Sequence, residues 1–237
     1  MLLPLGDHLP TRTVPFVNYA IIAANIVVFV LQLQGTVDDG LAFRPRRLFV
    51  DPGGAAITVL TSMFMHEGVA HIAGNMLYLW IFGDNVEDAM GHARYLVFYV
   101  LGGVCALAAQ TAIDPTTSIP MLGASGAISA VLAAYAFLYP RSPVTVLNPF
   151  WPLWFFWGLL LTSPAWLVIG FFFVMNLWYA LTQSTHGGGV AFMAHVGGFV
   201  GGAVLFRLFT VHDYRLEDYA RHERWLRPRD ERRASRW

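Results

Sequence analysis

The chain has 237 residues, of which 56% are hydrophobic and 13% are charged, and fifteen Arg balance fifteen Asp and Glu. A soluble domain has about 25% charged residues. This composition therefore argues against a disordered protein, a nucleic-acid binder and a soluble enzyme. Residues 16–37, 115–140 and 142–206 contain no charged side chain. Since about 20 apolar residues form a helix that spans a bilayer, the sequence predicts an integral membrane protein with several spans.

Six membrane-spanning helices are predicted, in a single all-α bundle. Their expected ranges are 16–34, 69–83, 94–113, 125–139, 164–182 and 190–209. The first helix follows Asp7, Pro10 and Arg12, which favours an uncleaved N-terminus. Residues 1–15 and 210–237 are expected to be a cytoplasmic segment and a charged cytoplasmic tail, because both termini inside the cell place twelve of the fifteen Arg there.

The connections between the spans differ in character. Residues 35–68 form a long first loop with three Arg, and 84–88 are expected to form a short acidic turn after the second span. Residues 141–163 contain three Pro and many Trp and Phe, so they are predicted to lie in the membrane interface. A Gly-rich loop at 186–189 precedes the last span.

Polar side chains inside spans are costly, so each is a functional candidate. Ser125 begins the fourth span within Gly123-Ala124-Ser125-Gly126. Free backbone N–H groups at a helix start stabilise a developing anion, and glycine lets a substrate approach closely. Taken alone, this short motif is more typical of a helix cap with small packing neighbours.

His195 lies early in the sixth span, next to Gly197 and Gly198. Two stripes of small residues recur at four-residue spacing and would let the fourth and sixth helices pack closely. They are Gly126, Ala130 and Ala134 on one helix and Ala194, Gly198 and Gly202 on the other. This contact would bring His195 towards Ser125 as an adjacent base. No acidic residue lies in these spans to orient the imidazole, so a Ser-His dyad is predicted.

His71 and Asn75 are four residues apart on the second span and therefore share a face. Both can donate hydrogen bonds to an oxyanion, and a polar pair that joins helices is an equal alternative. The four candidates are expected at one depth in the outer leaflet, which requires a wet cavity. His66 and His71 resemble a zinc-protease signature, but their i, i+5 spacing turns them to different faces. His66 is interpreted as a residue that ties down the first loop.

These motifs together resemble the rhomboid family of intramembrane serine proteases. The matching pieces are His71-x-x-x-Asn75, Gly123-Ala124-Ser125-Gly126 and His195-Val196-Gly197-Gly198, in the family's order on the second, fourth and sixth helices. The resemblance implies that Ser125 is the nucleophile and His195 the general base. It implies that His71 and Asn75 stabilise the oxyanion, and that no metal or cofactor takes part.

The resemblance also implies a first loop partly embedded in the outer leaflet. The expected partners are single-span membrane protein substrates and the lipid bilayer, with no nucleic acid, and the expected location is the bacterial inner membrane. The oligomeric state stays open. Two positions depart from the family pattern, because Ile57-Thr58 stands where many members have Trp-Arg and Ser129 where some have a Tyr.

Two other functions are weighed against proteolysis. The first is a catalytically silent relative that binds client helices. Such inactive relatives usually lack the Ser or the His. The second is a transporter or channel, which commonly shows internal repeats and acids within spans. This sequence has neither a convincing repeat nor an acid in a span core.

Overall fold

The computed structural model describes residues 3–148, 158–182 and 190–211. The elements in chain order are β1 Leu3–Asp7, α1 Phe16–Leu33, α2 Arg47–Val50, α3 Pro52–Thr61, α4 Val69–Tyr78, α5 Asp84–Met90, α6 His92–Ile113, α7 Ser125–Leu138, β2 Pro143–Leu147, β3 Leu160–Pro164, α8 Ala165–Thr182 and α9 Phe192–Phe209. Short 3₁₀ turns at Asp39–Leu41 and Ser62–Phe64 belong to the first loop, and a π-helical turn, Leu79–Gly83, joins α4 to α5. The predicted Gly-rich loop at 186–189 and most of the charged tail lie outside the described residues.

The predicted helical membrane bundle is confirmed. Within the described residues, α1, α6, α8 and α9 are long and apolar enough to cross a membrane. The 14-residue α7 is also apolar and is about 21 Å long at about 1.5 Å per residue. It lies at the centre of the bundle, where nearly all of its residues are buried. The protein is therefore an integral, multi-pass membrane protein.

The second span is longer than predicted, and the prediction of an acidic turn at 84–88 is wrong. The helix continues without a break from α4 through the π-helical turn into α5, and it ends at Gly91, whose φ is +76°. Glu87 and Asp88 are buried and bond the chain at and just before the start of α1, whereas Asp84 is half-buried. Glu87 accepts hydrogen bonds from the N–H groups of Val17 (3.1 Å) and Asn18 (2.7 Å). A carboxylate satisfies the free N–H groups and the positive dipole end of a helix that has no cap of its own.

The structure adds a three-stranded antiparallel sheet that the sequence analysis missed. The strand order is β1-β2-β3, with Pro4 opposite Val146 and Val146 opposite Leu161. Val144 and Val146 alternate with half-buried residues and face the core, as the two-residue period of a strand requires. The sheet replaces part of the interfacial segment predicted for 141–163, while residues 149–157 of that segment lie outside the described part.

The sheet is joined to the bundle through Asp7. The phenol of Tyr135 on α7 donates a hydrogen bond to Asp7 Oδ2 at 2.6 Å, and the amide of Asn85 lies 3.4 Å from the same oxygen. Burial raises the pKa of Asp7 to about 7, and the neighbouring Asp84 acts in the same direction. The N-terminal strand is therefore bonded to the C-terminal end of α7 through a carboxyl group whose pKa is near neutral.

The predicted stripes of small residues do bring α7 and α9 together. A Cβ added at Gly198 would lie 3.0 Å from the carbonyl carbon of Gly126, and one at Gly202 would lie 2.5 Å from Cα of Ala130. The carbonyl oxygen of Gly126 would lie nearer still to the Cβ at position 198, so both added atoms would be closer to backbone than real Cβ atoms come. Only glycine therefore permits this approach of the two helices.

Candidate active site

Ser125 is the first residue of α7, directly after a turn that needs glycine. Gly123 has a φ of +122°, which residues with a side chain rarely adopt, and its N–H donates to the Ser62 carbonyl at 2.9 Å. A Cβ at Gly123 would also lie 2.8 Å from Nε2 of His71. The first N–H groups of α7 have no carbonyl partner within the helix and can bind an anion. The turn thus places the Ser125 hydroxyl beside potential oxyanion donors.

His195 lies in the first turn of α9, where its imidazole reaches Ser125. The distance from His195 Nε2 to Ser125 Oγ is 2.7 Å, although the residues are 70 positions apart. The close contact of Gly198 with Gly126 supports this approach. Gly126 directly follows Ser125, and Gly198 lies less than one helical turn after His195. The structure thus brings together the Ser and the His that the sequence analysis paired.

Asn176 on α8 is a residue that the sequence analysis missed. Its Oδ1 lies 2.6 Å from His195 Nδ1, and its Nδ2 donates to the Phe172 carbonyl at 2.8 Å. The predicted dyad therefore has a third polar residue behind it. The sequence signal for this residue is a single Asn within an apolar span, where the dyad prediction considers only acidic residues as partners of the imidazole.

His71 and Asn75 lie on α4 and face the same cavity as Ser125. His71 is beside Gly123, and its ring centroid is 5.0 Å from that of His66. Asn75 is buried, and its Nδ2 lies 2.8 Å from His66 Nε2. A side-chain amide has two N–H donors, so one stays available to the cavity.

His66 ties the first loop to the bundle, as interpreted from the sequence. It is 2% exposed, and its backbone N–H and carbonyl both bond the side-chain amide of Gln32 on α1. Its ring nitrogen bonds Asn75. Within the described residues, no group of three His, Cys, Asp or Glu side chains could hold a metal ion.

The two positions that depart from the pattern of the resembled family make local contacts. Ser129, at the position where some members have a Tyr, is buried and donates to the Ser125 carbonyl at 2.8 Å. The aromatic rings of Phe172 and Phe192 lie with their centroids 6.2 and 6.3 Å from that of His195. In the first loop, Thr58 is buried and bonds the Ala55 carbonyl within α3, while Ile57 is exposed.

A cavity of about 550 Å³ is lined by the four residues predicted from the sequence. Helices α4, α6, α7, α8 and α9 all contribute to its walls, which are mostly apolar. The polar side chains at its wall include Ser125, His195, His71 and Asn75. An apolar cavity with a few convergent polar groups is typical of a substrate site. The arrangement places the Ser125 hydroxyl, a potential nucleophile, at the wall of a cavity large enough for part of a substrate.

Comparison with known proteins finds a family model and relatives that are all described as rhomboid. The family model described as Rhomboid domain matches residues 53–211. The chain is 32% identical to Rhomboid protease GluP of Bacillus subtilis over 128 residues, which cover 52% of this chain and 25% of that protein. It is 31% identical to the mitochondrial presenilin-associated rhomboid-like protein of Homo sapiens over 134 residues, covering 54% and 34%. For the mitochondrial Rhomboid protein 1 of Saccharomyces cerevisiae the identity is 26% over 156 residues, covering 62% and 40%. The chain thus spans two fifths or less of each of these relatives.

Proposed function

Because this chain belongs to the rhomboid family, we propose that it is an intramembrane serine endopeptidase that uses Ser125 and His195. The observation that carries the proposal is the 2.7 Å contact between Ser125 Oγ and His195 Nε2 inside a cavity of the helical bundle. A serine hydroxyl is a weak nucleophile unless an adjacent base removes its proton. This geometry supplies that base.

The proposed reaction proceeds through an acyl-enzyme. Ser125 Oγ attacks the scissile carbonyl carbon while its proton passes to His195 Nε2, and the carbonyl π electrons move to the oxygen. The tetrahedral intermediate collapses as the imidazolium gives this proton to the leaving amine, which breaks the C–N bond. A water molecule then attacks the ester, with His195 again as base, and releases the acid and free Ser125.

The developing oxyanion would be bound by the N–H of Ser125, by the His71 ring and by the free N–H of Asn75. Preorganised donors of this kind act strongly in a site with little water. All three groups lie at the cavity that contains the nucleophile. Removal of one of them leaves two, so Asn75→Ala would reduce turnover without abolishing it.

The proposed substrates are single-span membrane proteins, cut in or near the membrane segment. Ser125 begins the short central helix α7, and most of the residues that line the cavity beside it belong to helices of the bundle. A polypeptide that reaches Ser125 would have to enter the bundle at membrane depth. We propose the bacterial inner membrane as its location, with both termini in the cytoplasm.

Cleavage of a tagged single-span substrate in proteoliposomes tests the proposal. We expect the wild type to cleave and Ser125→Ala to be inactive with an unchanged melting temperature. Ser142→Ala is the matched control, because Ser142 follows the C-terminal end of α7, opposite to Ser125, where its hydroxyl bonds Tyr135. It should cleave like the wild type.

A fluorophosphonate probe separates a wrong substrate from a wrong function. Labelling of the wild type but not of Ser125→Ala would support the peptidase even where the chosen substrate is not cut. Full cleavage by Ser125→Ala would refute the mechanism. A folded wild type that neither cleaves nor reacts with the probe would favour a silent relative that binds client helices.

A further inference from the structure

The contacts of Asn176 determine which way its amide faces. Its Nδ2 donates to the Phe172 carbonyl at 2.8 Å, and a carbonyl oxygen can only accept a hydrogen bond. The other end of the amide, Oδ1, therefore faces His195 Nδ1 at 2.6 Å. Since Oδ1 also only accepts, the hydrogen of this bond belongs to Nδ1.

This assignment fixes the tautomer of His195. A neutral imidazole with hydrogen on Nδ1 has a lone pair on Nε2. Nε2 lies 2.7 Å from Ser125 Oγ and accepts the hydroxyl proton. The chain of donors and acceptors thus runs from Ser125 through His195 and Asn176 to the backbone of α8.

We propose that Asn176 is a positioning residue that holds His195 in the Nδ1-protonated tautomer and aims Nε2 at Ser125. Its catalytic consequence rests on the proposed function. The bond between Asn176 Oδ1 and Nδ1 becomes charge-assisted, and so stronger, when the imidazole takes up the serine proton. The working unit is then Ser-His-Asn rather than the Ser-His dyad predicted from the sequence.

Within the described residues, other side chains near the imidazole do not provide this acceptor. The ring centroids of Phe172 and Phe192 are more than 6 Å from that of His195, and Ser129 bonds the Ser125 carbonyl instead. A neutral amide also suits the location, because a carboxylate within a membrane span is far more costly to bury. Asn176 therefore supplies orientation without a buried charge.

Kinetics of three variants test the assignment. Asn176→Leu removes the acceptor at similar volume, whereas Asn176→Asp retains it. Asn25→Leu is the matched control, because Asn25 is a buried residue of α1 that donates to the Ile21 carbonyl at 2.8 Å, as Asn176 does to Phe172. It removes the same kind of local bond far from His195.

For Asn176→Leu we expect kcat to fall roughly 10- to 100-fold with KM unchanged, below the roughly 10⁴-fold effect of losing a charged third member. This loss corresponds to about 1.4 to 2.7 kcal/mol at 1.36 kcal/mol per tenfold. The kcat of Asn176→Asp should be at least fivefold higher than that of Asn176→Leu. Asn25→Leu should keep the wild-type kcat. An unchanged kcat in a folded Asn176→Leu would overturn the proposal.

The tautomer itself can be read without any activity. In ¹⁵N-histidine-labelled protein, the His195 resonances are identified by their absence in His195→Gln. We expect hydrogen on Nδ1 and none on Nε2 in the wild type, and a mixture in Asn176→Leu. Hydrogen on Nε2 in the wild type would overturn the proposal, even where Asn176→Leu does not fold. A wild type with the expected tautomer but no cleavage or probe labelling would refute the proposed function alone.

Discussion

An alanine at position 198 would push α7 and α9 apart at the candidate active site. The new Cβ would lie 3.0 Å from the carbonyl carbon of Gly126, with the oxygen nearer still. Carbon atoms pack at about 3.5–4.0 Å, so the helices must separate by about 1 Å. The contact from Ser125 to His195 would lengthen from 2.7 Å to about 3.7 Å, beyond hydrogen-bond distance.

A misplacement of about 1 Å can cost about 10²-fold in rate, so we expect a loss of that size in kcat for Gly198→Ala. Overpacking should also cost about 1–3 kcal/mol of stability, which lowers the melting temperature by about 2 to 12 °C. Substrate cleavage in proteoliposomes measures the first effect, and thermal denaturation in detergent measures the second.

Gly170→Ala is the matched control on α8, because a Cβ added at Gly170 has no neighbour within 4 Å. It should keep the wild-type kcat and gain a little stability from helix propensity. If Gly198→Ala turns over substrate within twofold of the wild type, the close packing of α7 and α9 does not control the distance between Ser125 and His195 that activity needs. The reasoning from packing to activity would then be refuted.

Two further predictions concern Gly123 and Asp7. Gly123→Ala forces a side chain into a φ of +122° and against His71, so kcat should fall about 10²–10³-fold; wild-type turnover would contradict the role of this turn. The pKa of Asp7 is about 7 in the folded protein and 3.8 in its ordinary environment. The folded state therefore binds more protons between these values, and wild-type stability should fall as pH rises from about 4 to 7 and level off above. Asp7→Asn should remove this slope and add up to about 4 kcal/mol at pH 8, at 1.36 kcal/mol per pKa unit. Equal melting temperatures of both proteins from pH 5 to 8 would contradict this interpretation.

The sequence determined the class of protein and the positions of its spanning helices, apart from the end of the second span. In hydrocarbon every backbone N–H and carbonyl must be satisfied within the segment, so long apolar runs have to be helices. The same physics makes each polar residue in a span conspicuous, which singled out Ser125 and His195. The contact between α7 and α9 was also predictable, since stripes of glycine and alanine indicate where two helices pack closely.

Tertiary structure alone decided the features that depend on residues distant in the chain. Residues 84–90 extend the second span as a helix, in which Glu87 is buried because it bonds the start of α1, 69 residues before it. Strand β1 exists because it pairs with β2, well over a hundred residues away.

Asn176 shows the same limit within the candidate site. As a residue in a span it is one polar side chain among apolar ones, and its spacing from His195 has no helical meaning because the two lie on different helices. Its place behind the imidazole arises only when α8 packs beside α9 and sets Oδ1 2.6 Å from Nδ1. Hydrogen bonds between helices depend on distances of tenths of an ångström, and packing in three dimensions sets those distances.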